Sequence, residues 1–307
     1  MNRSTVLSAG FVLIWSNGYV LGSIAANAAP ALAVTFWRLL LAGAVLGVLA
    51  GRRRARWPHG RRAVLGIALT GTLLFAVQFG GVYIGMAGGM PASTSALLVS
   101  ACPLVVAAVQ ALSGAERLAP SQWLGAALGM VGVVVALLDR LQSPGSLGPL
   151  LWTLVGLAGF AAAGVLTPRL VPTGVDARAV TSVECLVAAV VIVPLALLHG
   201  GLALPLTGAA LGSAGALTLV NGVGGSLVLL ALVQRQGSTR AMSLLFVVPA
   251  VTAVAAWAVL GDPISLATFG GLAVAGAGIA LVQRGPIRVG RSSQRVAPAA
   301  VASTMGR

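Results

Sequence analysis

Long apolar runs, broken by short clusters of Pro, Gly and Arg, dominate the chain from about residue 5 to residue 284. A helix that crosses a membrane needs about 20 predominantly apolar residues, because its backbone polar groups find no water in the hydrocarbon. On that measure the runs predict ten spans, near 6–26, 32–50, 63–86, 92–112, 121–138, 148–167, 179–198, 208–232, 238–260 and 264–283. The connections are short, as in Asn27 to Pro30, Gly88 to Pro91 and His199 to Thr207, and none holds a soluble domain. The pattern predicts an all-α integral membrane protein.

The two ends need separate reading. Arg3, an apolar stretch and Ala26-Asn27-Ala28 resemble a cleavable signal peptide, but the apolar region is about twice the usual length and carries Ser16 and Asn17. It is therefore expected to stay as the first span. After Arg284 the apolar pattern stops, and the basic, Ser/Ala-rich stretch 284–307 is expected to be a disordered cytoplasmic tail.

Composition sharpens the picture: 58% of residues are hydrophobic and 8% charged, against about 25% charged in soluble domains. All 19 basic residues are arginines, set against five acids. The net charge of +14 does not point to nucleic acid, because the arginines sit between apolar runs and form no basic face with base-reading groups. With the N-terminus in the cytoplasm, 17 arginines fall on the inside, Arg140 alone outside and Arg38 within a span. That bias predicts a multi-pass protein of the cytoplasmic membrane with both termini inside.

The chain also resembles itself. An offset of 146 residues carries Thr35 onto Thr181, Gly66 onto Gly212, Pro103 onto Pro249, Glu116 onto Asp262, Gly125 onto Gly271 and Gly132 onto Gly278. Five spans per copy is an odd number, so the second copy enters the membrane inverted. Such inverted repeats characterise many secondary transporters, with the solute bound at the repeat interface near the midplane.

Three stretches then carry a family resemblance. Ser93 to Pro103 with Gly114-Ala115-Glu116-Arg117-Leu118, its second copy Ser238 to Pro249 with Gly261-Asp262-Pro263, and Phe36-Trp37-Arg38-Leu39 together resemble the EamA repeats of the drug/metabolite transporter superfamily. The resemblance implies ten transmembrane helices as two inverted five-helix EamA repeats, 5–138 and 148–283. It also implies an exporter of small metabolites, amino acids or drug-like solutes, with a cavity lined by spans 1, 3, 4, 6, 8 and 9. Asp262 in place of glutamate, followed by Pro263, departs from the family pattern and leaves the solute open.

Candidate site residues follow from depth. Trp15, Ser16 and Asn17 fall mid-span in the first helix and Asn221 in the eighth, where an unpaired polar group is costly. They either line a cavity or hydrogen-bond a neighbouring helix. The resemblance adds Gln78, Tyr83, Ser93, Ser100, Trp152 and Met242 on cavity spans. Arg38 and Glu184 exchange under the 146-residue offset and are the charged residues well inside spans. Arg38 either holds a carboxylate on the solute or pairs with a neighbouring helix. Glu184 either takes up and releases a proton, coupling transport to a pH gradient, or bonds a neighbouring helix.

Other chemistry finds little support. His59 and His199 lie in loops and no span holds two carboxylates, so no catalytic residues, metal site or cofactor are expected. Cys102 and Cys185, inside apolar runs, read as small buried hydrophobes. Small-molecule solute and membrane lipids are the expected partners, the oligomeric state is open, and the alternatives are a non-transporting membrane scaffold or sensor and, last, a membrane-embedded enzyme. Glycines at GxxxG spacing, such as Gly125 and Gly129, predict close helix approach.

Overall fold

The computed structural model describes residues 3–114, 116–117, 119–141, 145, 147–236, 244–262, 266–284 and 288–289. Its first half holds α1 (Arg3–Ala28), α2 (Ala31–Arg52), α3 (Arg61–Gly71, then Gln78–Ala87), α4 (Ala92–Ser100, then Cys102–Leu112) and α5 (Pro120–Leu141). The second half holds α6 (Leu147–Leu170), α7 (Ala177–Leu198), α8 (Gly208–Ala216, then Gly225–Gln236), α9 (Val248–Leu260) and α10 (Leu266–Arg284). Two short pairs, Glu116–Arg117 and Arg288–Val289, form an antiparallel bridge that sets Glu116 opposite Val289.

Local chemistry fixes the helix ends. Pro30 and Pro91 stand at the N-caps of α2 and α4, where the missing N–H of proline costs nothing. Asp176 caps α7 by accepting from the Arg178 N–H at 2.8 Å, and Thr207 caps α8 by accepting from the Ala210 N–H at 3.2 Å. Gly261, at φ +71°, closes α9 in the left-handed conformation that glycine adopts without strain.

Among the described residues, α1 to α4 and α6 to α8 are long and apolar enough to cross a membrane. The apolar stretches of the other three helices are shorter: Pro120–Val135, Val248–Leu260 and Phe269–Gly278. Seven of the ten expected spans thus meet the length criterion. The expected ninth span differs at its start, with a 3-10 turn at Leu244–Phe246 before α9. Pro249 cannot donate a backbone bond, so it sits in the first turn of α9, as Pro103 does in the second segment of α4. The expected disordered tail falls almost wholly outside the described residues.

The 146-residue offset reappears in the helix geometry. A π-helical segment, Thr72–Val77, interrupts α3, and another, Leu217–Gly224, interrupts α8 at the corresponding place. The break in α4 at Ala101 corresponds to Val247, between the 3-10 turn and α9. Between α5 and α10 the contact is reciprocal. A Cβ on Gly132 would stand 2.7 Å from the Gly271 carbonyl oxygen, and one on Gly278 would stand 2.5 Å from that of Gly125. Side chains at either position would force two backbones apart.

Other helix pairs close up the same way. Ser182 of α7 donates to the Gly43 carbonyl of α2 at 2.8 Å. Gly81 of α3 faces the backbone of Gly156 on α6. Where lipid tails are as apolar as the side chains, such van der Waals contacts and interhelical hydrogen bonds hold helices together.

Candidate functional site

A cavity of about 400 Å³ opens between α1, α2, α3, α7 and α8. Two aromatic stripes form much of its wall. Phe11, Trp15 and Tyr19 lie four residues apart on α1, and Phe75, Phe79 and Tyr83 lie four apart on α3. That spacing stacks side chains on one helix face. Within the stripes the rings of Phe11 and Trp15 lie 4.8 Å apart, and those of Phe79 and Tyr83 5.9 Å apart.

Arg38 of α2 reaches into this wall and is 3% exposed. One guanidinium nitrogen donates to the Tyr83 hydroxyl and another to Asn221 Oδ1 at 2.6 Å. The guanidinium carbon lies 3.8 Å from the centre of the Phe79 ring, a cation–π contact. Asn221 in turn donates through Nδ2 to the Ile14 carbonyl of α1 at 3.0 Å. One arginine thereby ties together α1, α2, α3 and α8.

Glycines on α1 make room for both partners of Arg38. A Cβ on Gly18 would stand 2.9 Å from Asn221 Cγ, and one on Gly22 would stand 2.6 Å from the Tyr83 ring. These two glycines are also four residues apart.

Glu184 of α7 also lines the cavity and is 5% exposed. Its Oε1 accepts from the Thr70 hydroxyl of α3 at 3.1 Å. Gly71 permits this approach, since a Cβ there would stand 2.7 Å from Glu184 Cβ. Among the described residues the one ion pair is Arg178 with Asp176, at 3.7 Å near the start of α7. No group of three or more His, Cys, Asp or Glu among them is placed to hold a metal ion.

The structure brings together six of the sequence candidates: Trp15, Arg38, Gln78, Tyr83, Glu184 and Asn221 all line the cavity. Others lie elsewhere. Ser16 is buried against α9, where it donates to the Val248 carbonyl at 3.2 Å. Ser100 bonds back to the Leu97 carbonyl of its own helix at 2.7 Å. Ser93 is buried near the start of α4, away from the cavity lining. Asn17 and Trp152 are exposed on the outer surface of the bundle. Met242 lies outside the described residues.

The reading by depth missed Phe11, Tyr19, Phe75 and Phe79, although their four-residue spacing is visible in the chain. It also missed Thr70 and Ser226, single hydroxyls that nothing in a one-dimensional pattern separates from their neighbours.

The sequence model of the EamA-like transporter family matches residues 3–138 and 147–284. The uncharacterized inner membrane transporter YedA of Escherichia coli strain K12 is 29% identical over 193 residues, 61% of this chain and 60% of YedA. The same protein of strain O157:H7 matches equally. These matches span about 60% of the length of the curated relatives. One crystal structure shares the fold with a TM-score of 0.64 at 19% identity, over 92% of this chain and 97% of its own.

Proposed function

The chain belongs to the EamA-like transporter family, and from that membership we propose that this multi-pass membrane protein is a secondary transporter of a small amphipathic solute. The observation that carries the reading is the cavity: its wall joins two aromatic stripes to Arg38, Glu184 and Gln78. Aromatic faces suit the apolar body of a solute and the polar groups its head.

In this reading the two halves are inverted five-helix repeats, 5–138 and 148–283, packed around the cavity, and both termini are cytoplasmic. The matched π segments of α3 and α8 and the reciprocal glycine contacts of α5 and α10 support the repeat. Rocking of one half against the other exposes the cavity to each side in turn. The π segments loosen α3 and α8 where they border the cavity, a common place for such geometry. Outward transport of a metabolite, amino acid or drug-like compound is carried over from the family resemblance alone. Proton uptake at Glu184 would couple the cycle to the pH gradient.

A retention screen tests this. Cells that make the protein should accumulate less of at least one small amphipathic metabolite or toxic analogue than cells without it. Equal retention across a broad panel, with the protein present in the membrane, would remove the transport reading.

A further inference from the structure

We infer that the solute carries a carboxylate, held by Arg38, with its apolar or aromatic body between the stripes of α1 and α3. This rests on the transport reading and specifies the chemistry of its substrate.

Arginine has five N–H donors and never loses its charge in a protein. Here the structure gives it two hydrogen-bond acceptors, Tyr83 and Asn221, both neutral, and two ring contacts, with Phe79 and more distantly Tyr83. Among the described residues no carboxylate lies within 4.0 Å of it. A buried cation at membrane depth is costly unless an anion or a well-built polar cage offsets it. Among the described residues Tyr83 and Asn221 orient the guanidinium without bringing a negative charge, and Arg38 lines the cavity. A planar carboxylate meets that fork with two parallel bonds.

The cage is also set before any anion arrives. Gly18 and Gly22 leave α1 close enough to hold Asn221 and Tyr83 in place, so little ordering remains when an anion arrives. The other ionisable wall residue, Glu184, is bonded by Thr70 on the α3–α7 side and forms no ion pair with Arg38. A single arginine and a largely aromatic wall favour a monocarboxylate over a phosphate, whose extra charge would find no second cation among the lining residues.

The test uses the full chain in lipid nanodiscs at neutral pH and three probes of one shape: 3-phenylpropionate, 3-phenylpropanamide and 3-phenylpropylamine. Binding is read by quenching of Trp15, the tryptophan among the cavity-lining residues, with W15F as the control that assigns the signal. The acid should bind about tenfold more tightly than the amide, and more tightly still than the amine. R38Q should bring acid and amide to equal affinity, while R38K should keep part of the preference. Thermal melts establish that the variants fold, and the acid-to-amide ratio in the unaltered chain decides the matter if R38Q does not. Equal or weaker binding of the acid would overturn the carboxylate while leaving a transport cavity. Quenching that survives in W15F would place the probes elsewhere and overturn the inference. Failure of all three probes to bind would remove the inference and count against the cavity as a solute site.

Discussion

Arg38 and Glu184 stand 146 residues apart at corresponding positions of α2 and α7, and both line one cavity, yet each is held by a different set of neutral partners. Arg38 bonds Tyr83 and Asn221, and Glu184 accepts from Thr70. A basic and an acidic side chain thus stand at places related by the 146-residue offset. The substitutions that follow ask what each contact does.

Asn221 links Arg38 to the Ile14 carbonyl, so Asn221→Ala removes one acceptor from a buried cation and one interhelical bond. Hydrogen bonds to charged groups are worth about 1.5–3 kcal/mol, and interhelical bonds in membranes about 0.6 kcal/mol on average. A loss of about 1–2 kcal/mol is expected in a melt of the purified protein. Combined with Arg38→Met, the two losses should fall short of additive, because they share one contact. Full additivity would show that the bond contributes nothing.

Gly132 and Gly278 should be equally intolerant of side chains. Gly132→Leu and Gly278→Leu each push against backbone of the facing helix, and overpacking of this kind costs about 1–3 kcal/mol. Gly276 on α10 has open space around it, so Gly276→Ala should be neutral or slightly stabilising. Comparable melts for all three variants would mean that α5 and α10 do not pack backbone to backbone.

Much of this architecture was legible in the chain because it rests on local properties. Apolar run length placed α1 to α4 and α6 to α8 within a few residues, and the offset that pairs Gly132 with Gly278 anticipated symmetric roles. The site was only half legible. Depth in a span singles out Arg38, Glu184 and Asn221, all wall residues, but it cannot tell inward from outward, so it groups Asn17 with them, as the family resemblance does Trp152. Helix rotation is set by neighbours, and Ser16 shows the consequence: its hydroxyl finds α9, 232 residues away. The aromatic stripes were the missed signal, because three rings at four-residue spacing on two helices define a face that single-residue depth does not.

Orientation can be read with fused reporters. The arginine bias and the proposed five helices per half predict inside after Gly60, outside after Gly145 and inside after the tail. An external C-terminus would contradict the inverted-repeat proposal.

Glu184→Gln tests proton coupling. The amide oxygen can still accept from Thr70, so folding should be retained while the titrating proton is lost. Coupling requires that the two access states differ in proton affinity, so the variant should exchange solute passively but fail to concentrate it under an imposed pH difference. Concentration against the gradient in the variant would end the role proposed for Glu184.

The most direct measurement uses a thiol already in the wall. Cys185 lines the cavity, while the protein's other cysteine, Cys102, is buried away from it. In a Cys102→Ala background, a small membrane-impermeant thiosulfonate should reach Cys185 in intact membranes from either side, as the cavity opens alternately, and a transported solute should slow the reaction. A Cys185 that stays unmodified from both sides until the protein is unfolded would contradict an alternately accessible cavity.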